Sequence, residues 1–102
     1  MTLIVRAGQL NSASVSVLLP EGEYIFPVQI RNLETGTVSI KLDGTAIAPI
    51  YDTSQTTMTG GMVYPLKVHI ASSGNHTLLA VLSTTLGTDL NLLFNGIYKY
   101  EP

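Results

Sequence analysis

An alternation of apolar and polar residues runs through most of this sequence and constrains its fold more than any other feature. Residues 13–19, 37–42 and 62–71 alternate in this way, and residues 23–31 place four apolar side chains on one face: Tyr24, Phe26, Val28 and Ile30. Neighbouring side chains of a strand point to opposite sides of a sheet, so the pattern is typical of strands with one buried face. No segment shows a sustained helical period. We therefore predict an all-β protein.

Turn-forming residues separate the alternating segments. Asp43–Gly44 is typical of a two-residue hairpin turn, and Asn95–Gly96 indicates either a second hairpin or a bulge within one strand. Pro27 lies inside an alternating segment and favours an edge strand or a bulge, because proline has no N–H for a ladder. About eight strands at a spacing of roughly ten residues predict one antiparallel β-sandwich domain over residues 1–102.

Composition excludes several classes of partner. The chain has a net charge of −2, and its five lysines and arginines are scattered singly, so we expect no nucleic-acid binding. No apolar run approaches the roughly 20 residues of a membrane-spanning helix, so we expect no membrane partner. Cysteine is absent and residues 1–10 lack the pattern of a signal peptide. We expect a location in a virus particle or the cytoplasm, without export by the Sec pathway.

Two segments are apolar on both faces. Residues 78–82 (LLAVL) and 92–94 (LLF) contain adjacent apolar side chains that cannot enter the same core. Leu79, Val81 and Leu93 must therefore be covered either by the chain's own loops or by another chain. Exposed apolar patches usually mark interaction sites. We predict an interface formed by the following residues: Leu79, Val81, Leu93, Tyr98 and Tyr100.

The long loop at residues 51–61 is a second candidate contact. It is rich in threonine and ends in Gly60–Gly61, so it could reshape at low steric cost. Tyr51 opens the loop and could stack on a sugar ring. The residues that we select as a possible ligand or contact site are Tyr51, Asp52, Gln55 and Met58.

Catalytic and metal-binding residues find little support in the sequence. His69 and His76 are the only imidazoles, and we interpret both as surface or turn residues. Ser73, His76 and Asp89 could be combined into a triad, but no nucleophile motif accompanies them. The aspartates lie near separate predicted turns, where their side chains commonly bond to the backbone. We expect a protein that is not an enzyme and has no cofactor or metal.

The order of elements from Tyr24 onward resembles a known β-sandwich family. The segments GEYIFPVQIRN, TVSIKLDGTAIAPI, YPLKVHIASSGNHTLLAVLS and DLNLLFNGIYKY are similar to the second half of galactose-binding-like jelly-roll domains of the carbohydrate-binding-module type. The similarity covers about three quarters of the chain and lies in structural turns. It implies a jelly-roll-like sandwich and a glycan as a possible ligand.

These features favour a structural role. A small β-sandwich with little charge and doubly apolar strands is similar in type to the jelly-roll and Ig-like proteins of phage particles, which decorate or cement capsids or build tails and fibres. We predict a non-enzymatic assembly protein whose partners are copies of itself or capsid and tail proteins. The alternative is a carbohydrate-binding module or lectin-like domain.

Overall fold

The computed structural model describes residues 1–100, which form ten strands and no helix. None of these residues therefore offers a helix that could cross a membrane. The strands are β1 (Thr2–Val5), β2 (Ser14–Leu19), β3 (Gly22–Arg31), β4 (Val38–Leu42), β5 (Thr45–Ala46), β6 (Ala48–Pro49), β7 (Val63–Ile70), β8 (Gly74–Leu82), β9 (Leu90–Phe94) and β10 (Tyr98–Lys99).

The strands pair as a long antiparallel ribbon that is rolled into two sheets. β1 pairs with β9, β2 with β8, β3 with β7, and β4 with β5. Sheet A has the order β1-β9-β3-β7-β6, with β10 also beside β3, and sheet B has the order β2-β8-β4-β5. This nested pairing is that of a jelly roll. The predicted all-β antiparallel sandwich is confirmed, with ten strands in place of about eight because three of them have only two residues.

The core lies between the two sheets and contains only apolar side chains among the described residues. The inward positions of β3 and β7 are buried, and Phe26 and Leu66 are fully buried. The ring of Phe26 packs edge-to-face against Tyr24 and Phe94, at centroid distances of 6.5 and 6.3 Å. The alternation in the sequence therefore assigned the inward faces of these two strands correctly.

Pro27 lies in a central strand, so the edge-strand alternative is wrong, and the predicted bulge is on the partner strand, at residues 95–97. β3 is flanked by β7 on one side and by β9 and β10 on the other. Pro27 stands opposite Pro65, and its carbonyl accepts a hydrogen bond from the Asn95 N–H at 3.1 Å. The main-chain groups of Pro27 therefore point toward the gap between the end of β9 and the start of β10, where no ladder N–H is required.

Residues 95–97 form a bulge within one interrupted strand, which is one of the two predicted alternatives. β9 ends with Phe94 opposite Val28, and β10 begins with Tyr98 opposite Ile25. Three residues thus face two on β3, which is the pattern of a bulge. Gly96 has a φ of 97°, and a Cβ atom placed there would lie 3.2 Å from the ring of Tyr98.

The predicted hairpin at Asp43–Gly44 is confirmed, but the strand that follows it divides between the sheets. Asp43 and Gly44 have φ angles of 49° and 87°, as a two-residue turn of type I′ requires. β5 then pairs with β4 in sheet B, whereas β6 pairs with β7 in sheet A. Residues 45–50 therefore cross from one sheet to the other at an open side of the sandwich.

We expect Gly96→Ala to destabilise the fold more than Gly8→Ala. Both glycines have positive φ angles, but Gly8 has no atom within 4 Å of a Cβ position, whereas Gly96 faces the ring of Tyr98. Gly8→Ala should cost about 1 kcal/mol from backbone strain alone, and Gly96→Ala should cost measurably more. Urea denaturation of the two variants checks this expectation. Equal losses would show that the ring does not constrain the bulge.

Candidate functional site: an apolar strip and an edge cleft

The outer face of sheet A carries apolar side chains that are in register across its strands. Gln29 stands between Val63 on β7 and Leu93 on β9, and the next outward row contains Pro27 and Pro65. Ile25 follows in the third row, with Tyr98 beside it on β10. We name this set the apolar strip, and its members are Ile25, Pro27, Val63, Pro65, Leu93 and Tyr98.

The strip is open to solvent and has polar residues around it. Val63 and Tyr98 expose 53% and 59% of their surface, and the other four members are half-buried. The outward positions around the strip are mostly polar. They include Glu23, Gln29, Lys67, His69 and Asn91 on the same strands and Thr2 on β1, whereas Ile4 on β1 is apolar and exposed. An apolar centre with a polar rim is the usual composition of a protein–protein contact.

The five residues of the predicted interface do not share one surface. Leu93 and Tyr98 lie on the outer face of sheet A, whereas Leu79 and Val81 lie on the outer face of sheet B, on the opposite side of the molecule. Tyr100 is half-buried, and its N–H donates to the Glu23 carbonyl oxygen at 2.8 Å. The sequence could not separate these residues, because adjacent apolar positions do not reveal which sheet a strand joins.

Leu79 and Val81 are half-buried, and the side chains beside them on sheet B are polar. Leu79 stands between Ser14 and Lys41, and Val81 stands beside Ser39. The N-terminal strand does not cover them, since it belongs to sheet A. Their part in an interface stays a prediction.

The loop at residues 51–61 is attached to the core at Met58, which corrects its description as an adaptable arm. Met58 is only 1% exposed, and its N–H and carbonyl both bond to the main chain of Val38, at 2.8 and 2.9 Å. The Thr59 N–H donates to the Tyr64 hydroxyl at 3.2 Å. Met58 is therefore a core residue and not a surface contact, because the loop adds its main chain to the edge of β4.

The first half of the loop is held by its own turns. The Asp52 carboxylate accepts hydrogen bonds from the side chain and the N–H of Ser54, at 2.7 and 3.1 Å, and these bonds lower the pKa of Asp52. The Gln55 N–H donates to the Asp52 carbonyl at 3.1 Å, and Gln55 is half-buried. Tyr51 projects into solvent. Of the four predicted loop residues, Tyr51 and Asp52 remain exposed for a ligand or partner.

A cleft of about 530 Å³ opens where residues 45–48 cross between the sheets. We name it the edge cleft. Its floor includes Leu42 and Ile47, and its rim includes Lys67, His69 and His76. Tyr51 does not line it, although Thr53 does. No sequence pattern indicated this cleft, because it exists only where β6 ends after two residues.

His76 joins two turns at the end of the edge cleft, so of the two predicted interpretations, a surface residue or a turn residue, only the second fits. Its side chain is 12% exposed and faces inward, beside Leu78 and opposite Val17. Nδ1 lies 2.5 Å from an Asp43 carboxylate oxygen, and Nε2 lies 2.8 Å from the Ser72 carbonyl oxygen. Both partners can accept hydrogen bonds, so the form of the ring that donates from both nitrogens fits this position. His76 alternates with Leu78 and Ala80, which face inward on the same strand. This alternation is visible in the sequence and could have predicted that His76 faces inward.

The same hydrogen bonds shift the pKa values of both partners. The bond to Asp43, and then the bond to the Ser72 carbonyl, raise the pKa of His76 above 6.5. The bond from His76, and then the bond from the Thr77 N–H at 2.8 Å, lower the pKa of Asp43 below 3.8. The serine in contact with His76 contributes a carbonyl oxygen and no hydroxyl, so this contact is not that of a nucleophile with its base.

The other ionisable groups of the described residues do not converge. His69 bonds to Glu23 on the neighbouring strand through Nδ1. Asp89 bonds to Arg6 at 2.9 Å, far from Ser73 and His76 along the fold, in the contact between β9 and the segment after β1. Within residues 1–100, no group of three His, Asp or Glu side chains could hold a metal ion.

Comparison with known proteins adds no relative. No protein-family model, curated protein or solved structure matches the chain. The resemblance to galactose-binding-like domains and to phage particle proteins therefore stays a prediction, and only the sandwich fold is confirmed.

We expect Met58→Ala to destabilise the protein far more than Met62→Ala. Met58 is buried in the core and Met62 is exposed. The first change should cost about 2–5 kcal/mol of unfolding free energy, and the second should cost less than about 0.5 kcal/mol. Chemical denaturation of both variants measures the difference. Similar small losses would mean that the loop does not pack against the core.

We expect stability to depend on pH through His76 and Asp43. His76 has a raised pKa in the folded state, so its contribution is complete below about pH 6.5 and is lost as pH rises through the folded value. Asp43 has a lowered pKa, so its contribution is complete above about pH 4 and is lost as pH falls through the folded value.

Urea midpoints between pH 5 and 8 check this dependence. The wild type should lose stability as pH rises from 6 to 8, and His76→Gln should remove that slope because glutamine does not titrate. A slope that persists unchanged in His76→Gln would contradict the assignment.

Proposed function

We propose that this protein is a non-enzymatic assembly protein that associates through the apolar strip of sheet A. The observation that carries the proposal is that Val63 and Tyr98 are exposed on the outer face of sheet A. The four half-buried apolar side chains of the strip lie beside them on the paired strands of the same face. Burying such a surface against a partner is favourable by roughly 25 cal/mol for each Å² of apolar area. The role that we propose is that of a component of a larger particle, such as a phage capsid decoration, cement, tail or fibre protein.

The position of the strip on neighbouring strands of one sheet supports self-association. It spans β10, β3, β7 and β9, which are neighbours in one sheet, so a second copy could place the same face against it. A twofold contact of this kind requires a surface that is complementary to itself, and apolar residues without a net charge meet that requirement. The jelly-roll fold occurs both in viral capsid proteins and in lectins, so the fold does not decide between these roles.

We expect Val63→Glu combined with Tyr98→Glu to abolish association without unfolding the domain. Both side chains point to solvent, so glutamate should be tolerated in the monomer but should place buried charges in the contact. Leu18→Glu is the matched control, because Leu18 is 74% exposed on sheet B, outside the strip. Sedimentation equilibrium should show oligomers for the wild type and the control, and a monomer for the double variant.

A wild-type monomer at about 1 mM would contradict self-association, since any binding energy would then be weaker than about −4 kcal/mol. If such a monomer binds capsid or tail proteins, and the double variant does not, the particle role stands with a different partner. If it binds a glycan and loses that binding on Tyr51→Ala, the carbohydrate-binding alternative replaces the proposal.

A further inference from the structure

The edge cleft borders an unpaired stretch of β7. β6 pairs with β7 only at Lys67 and Leu66, and the Ile50 N–H bonds to the Pro65 carbonyl at 2.9 Å. Main-chain groups of a strand point to alternate sides, so the groups of residues 65, 67 and 69 all point away from β3. The segment at residues 45–47 has by then turned to sheet B, where the Ile47 N–H bonds to the Ile40 carbonyl.

His69 therefore directs its main-chain N–H and carbonyl into the edge cleft. On β3, His69 stands opposite Glu23. The Pro65 carbonyl points away from β3, and residues two or four positions apart in a strand point their main-chain groups the same way, so those of His69 also point away from β3. Among the described residues, none pairs with His69 on that side. Unpaired main-chain groups at a sheet edge are the usual site at which an extended peptide adds a strand.

The length of β7 beyond Lys67 and the floor of the cleft suit a short strand. β7 continues for about 10 Å beyond Lys67, which corresponds to three residues at roughly 3.3 Å each. Leu42 and Ile47 form an apolar floor, and Thr45 and Thr53 add hydroxyl groups at its sides. A strand placed there would continue the line of β6 and would close the open side of the sandwich.

The charges around the cleft select the kind of peptide. Lys67 lines the cleft and makes no ion pair with a carboxylate of the described residues, whereas His76 and Asp43 pair with each other and add no net charge. The Asp43 carboxylate is already bonded to His76 and to the Thr77 N–H. A lysine at a sheet edge opposes pairing with a second copy of the same edge, because two lysines would meet. It favours an acidic segment instead.

We propose that the edge cleft binds an extended acidic peptide segment of a partner protein, which joins sheet A as a strand beside β7 at His69. The site is distinct from the apolar strip, and it needs no self-association. A protein with both surfaces could join copies of itself through one and hold a strand of a different protein through the other.

Amide NMR spectra of the wild-type protein, titrated with the peptide acetyl-SEVEVS-amide, test the proposal. We expect the His69 amide to shift and its hydrogen exchange to slow, because it gains a main-chain acceptor. Two further peptides test the pairing. In one, N-methyl groups block the amides along one edge of the peptide strand, and in the other they block the amides along the opposite edge. A strand pairs through every second residue, so one of these peptides should still bind and the other should not.

Charge specificity is tested with a matched pair of variants. Lys67→Gln should weaken binding of the peptide roughly three- to fivefold, the effect of losing one exposed ion pair, whereas Lys41→Gln on the outer face of sheet B should leave it unchanged. The peptide acetyl-SKVKVS-amide should bind more weakly than the acidic one. The proposal is overturned if the His69 amide does not respond at millimolar peptide, if both N-methylated peptides bind, or if the lysine peptide binds as well.

Discussion

The pairing of β3 with β7 is the interaction on which the rest of the molecule depends. It joins eight consecutive residue pairs, from Gly22 with Ile70 to Gln29 with Val63. Side chains of a strand alternate between faces, so this register sends Phe26 and Leu66 into the core and sends Pro27 and Pro65 outward. β9, β10 and β6 attach directly to this pair, and β1 attaches to it through β9.

The apolar strip follows from this register together with the residues that occupy its outward positions. On the outward face of sheet B, serines and a lysine separate the apolar side chains: Ser14 and Lys41 flank Leu79, and Ser39 stands beside Val81. Sheet A instead exposes Val63 and Tyr98, and the bulge at Gly96 allows the ring of Tyr98 to lie over the strand. An exposed apolar surface lowers solubility unless it is covered, which is why we assign it to a partner.

The sequence predicted the parts of this fold that depend on local pattern. The alternation identified the inward faces of residues 23–31 and 62–71, and Asp43–Gly44 identified its hairpin. The errors concern contacts between distant segments. The edge-strand alternative for Pro27 was wrong because the sequence does not show that β9 stops beside it. Met58 looked exposed because its pairing with Val38 joins residues twenty positions apart.

The candidate sites were harder to predict than the fold. Leu93 and Tyr98 were recognised as outward apolar residues, but Val63 and Pro65 were not, because a single outward apolar residue in an alternating strand gives no signal by itself. The edge cleft depends on the point at which residues 45–50 leave one sheet for the other. That point is set by packing between the sheets and not by the residues of the segment.

The central claim is that Val63 is covered in the functional state of the protein while Leu18 is not. Methyl NMR of the wild type with a soluble paramagnetic probe measures both side chains in one sample, because the probe broadens the signals of exposed methyl groups. The account predicts that the Val63 methyls become protected as protein concentration rises, whereas those of Leu18 remain accessible. Equal accessibility of Val63 and Leu18 at every concentration, and in the presence of partner proteins, would contradict it.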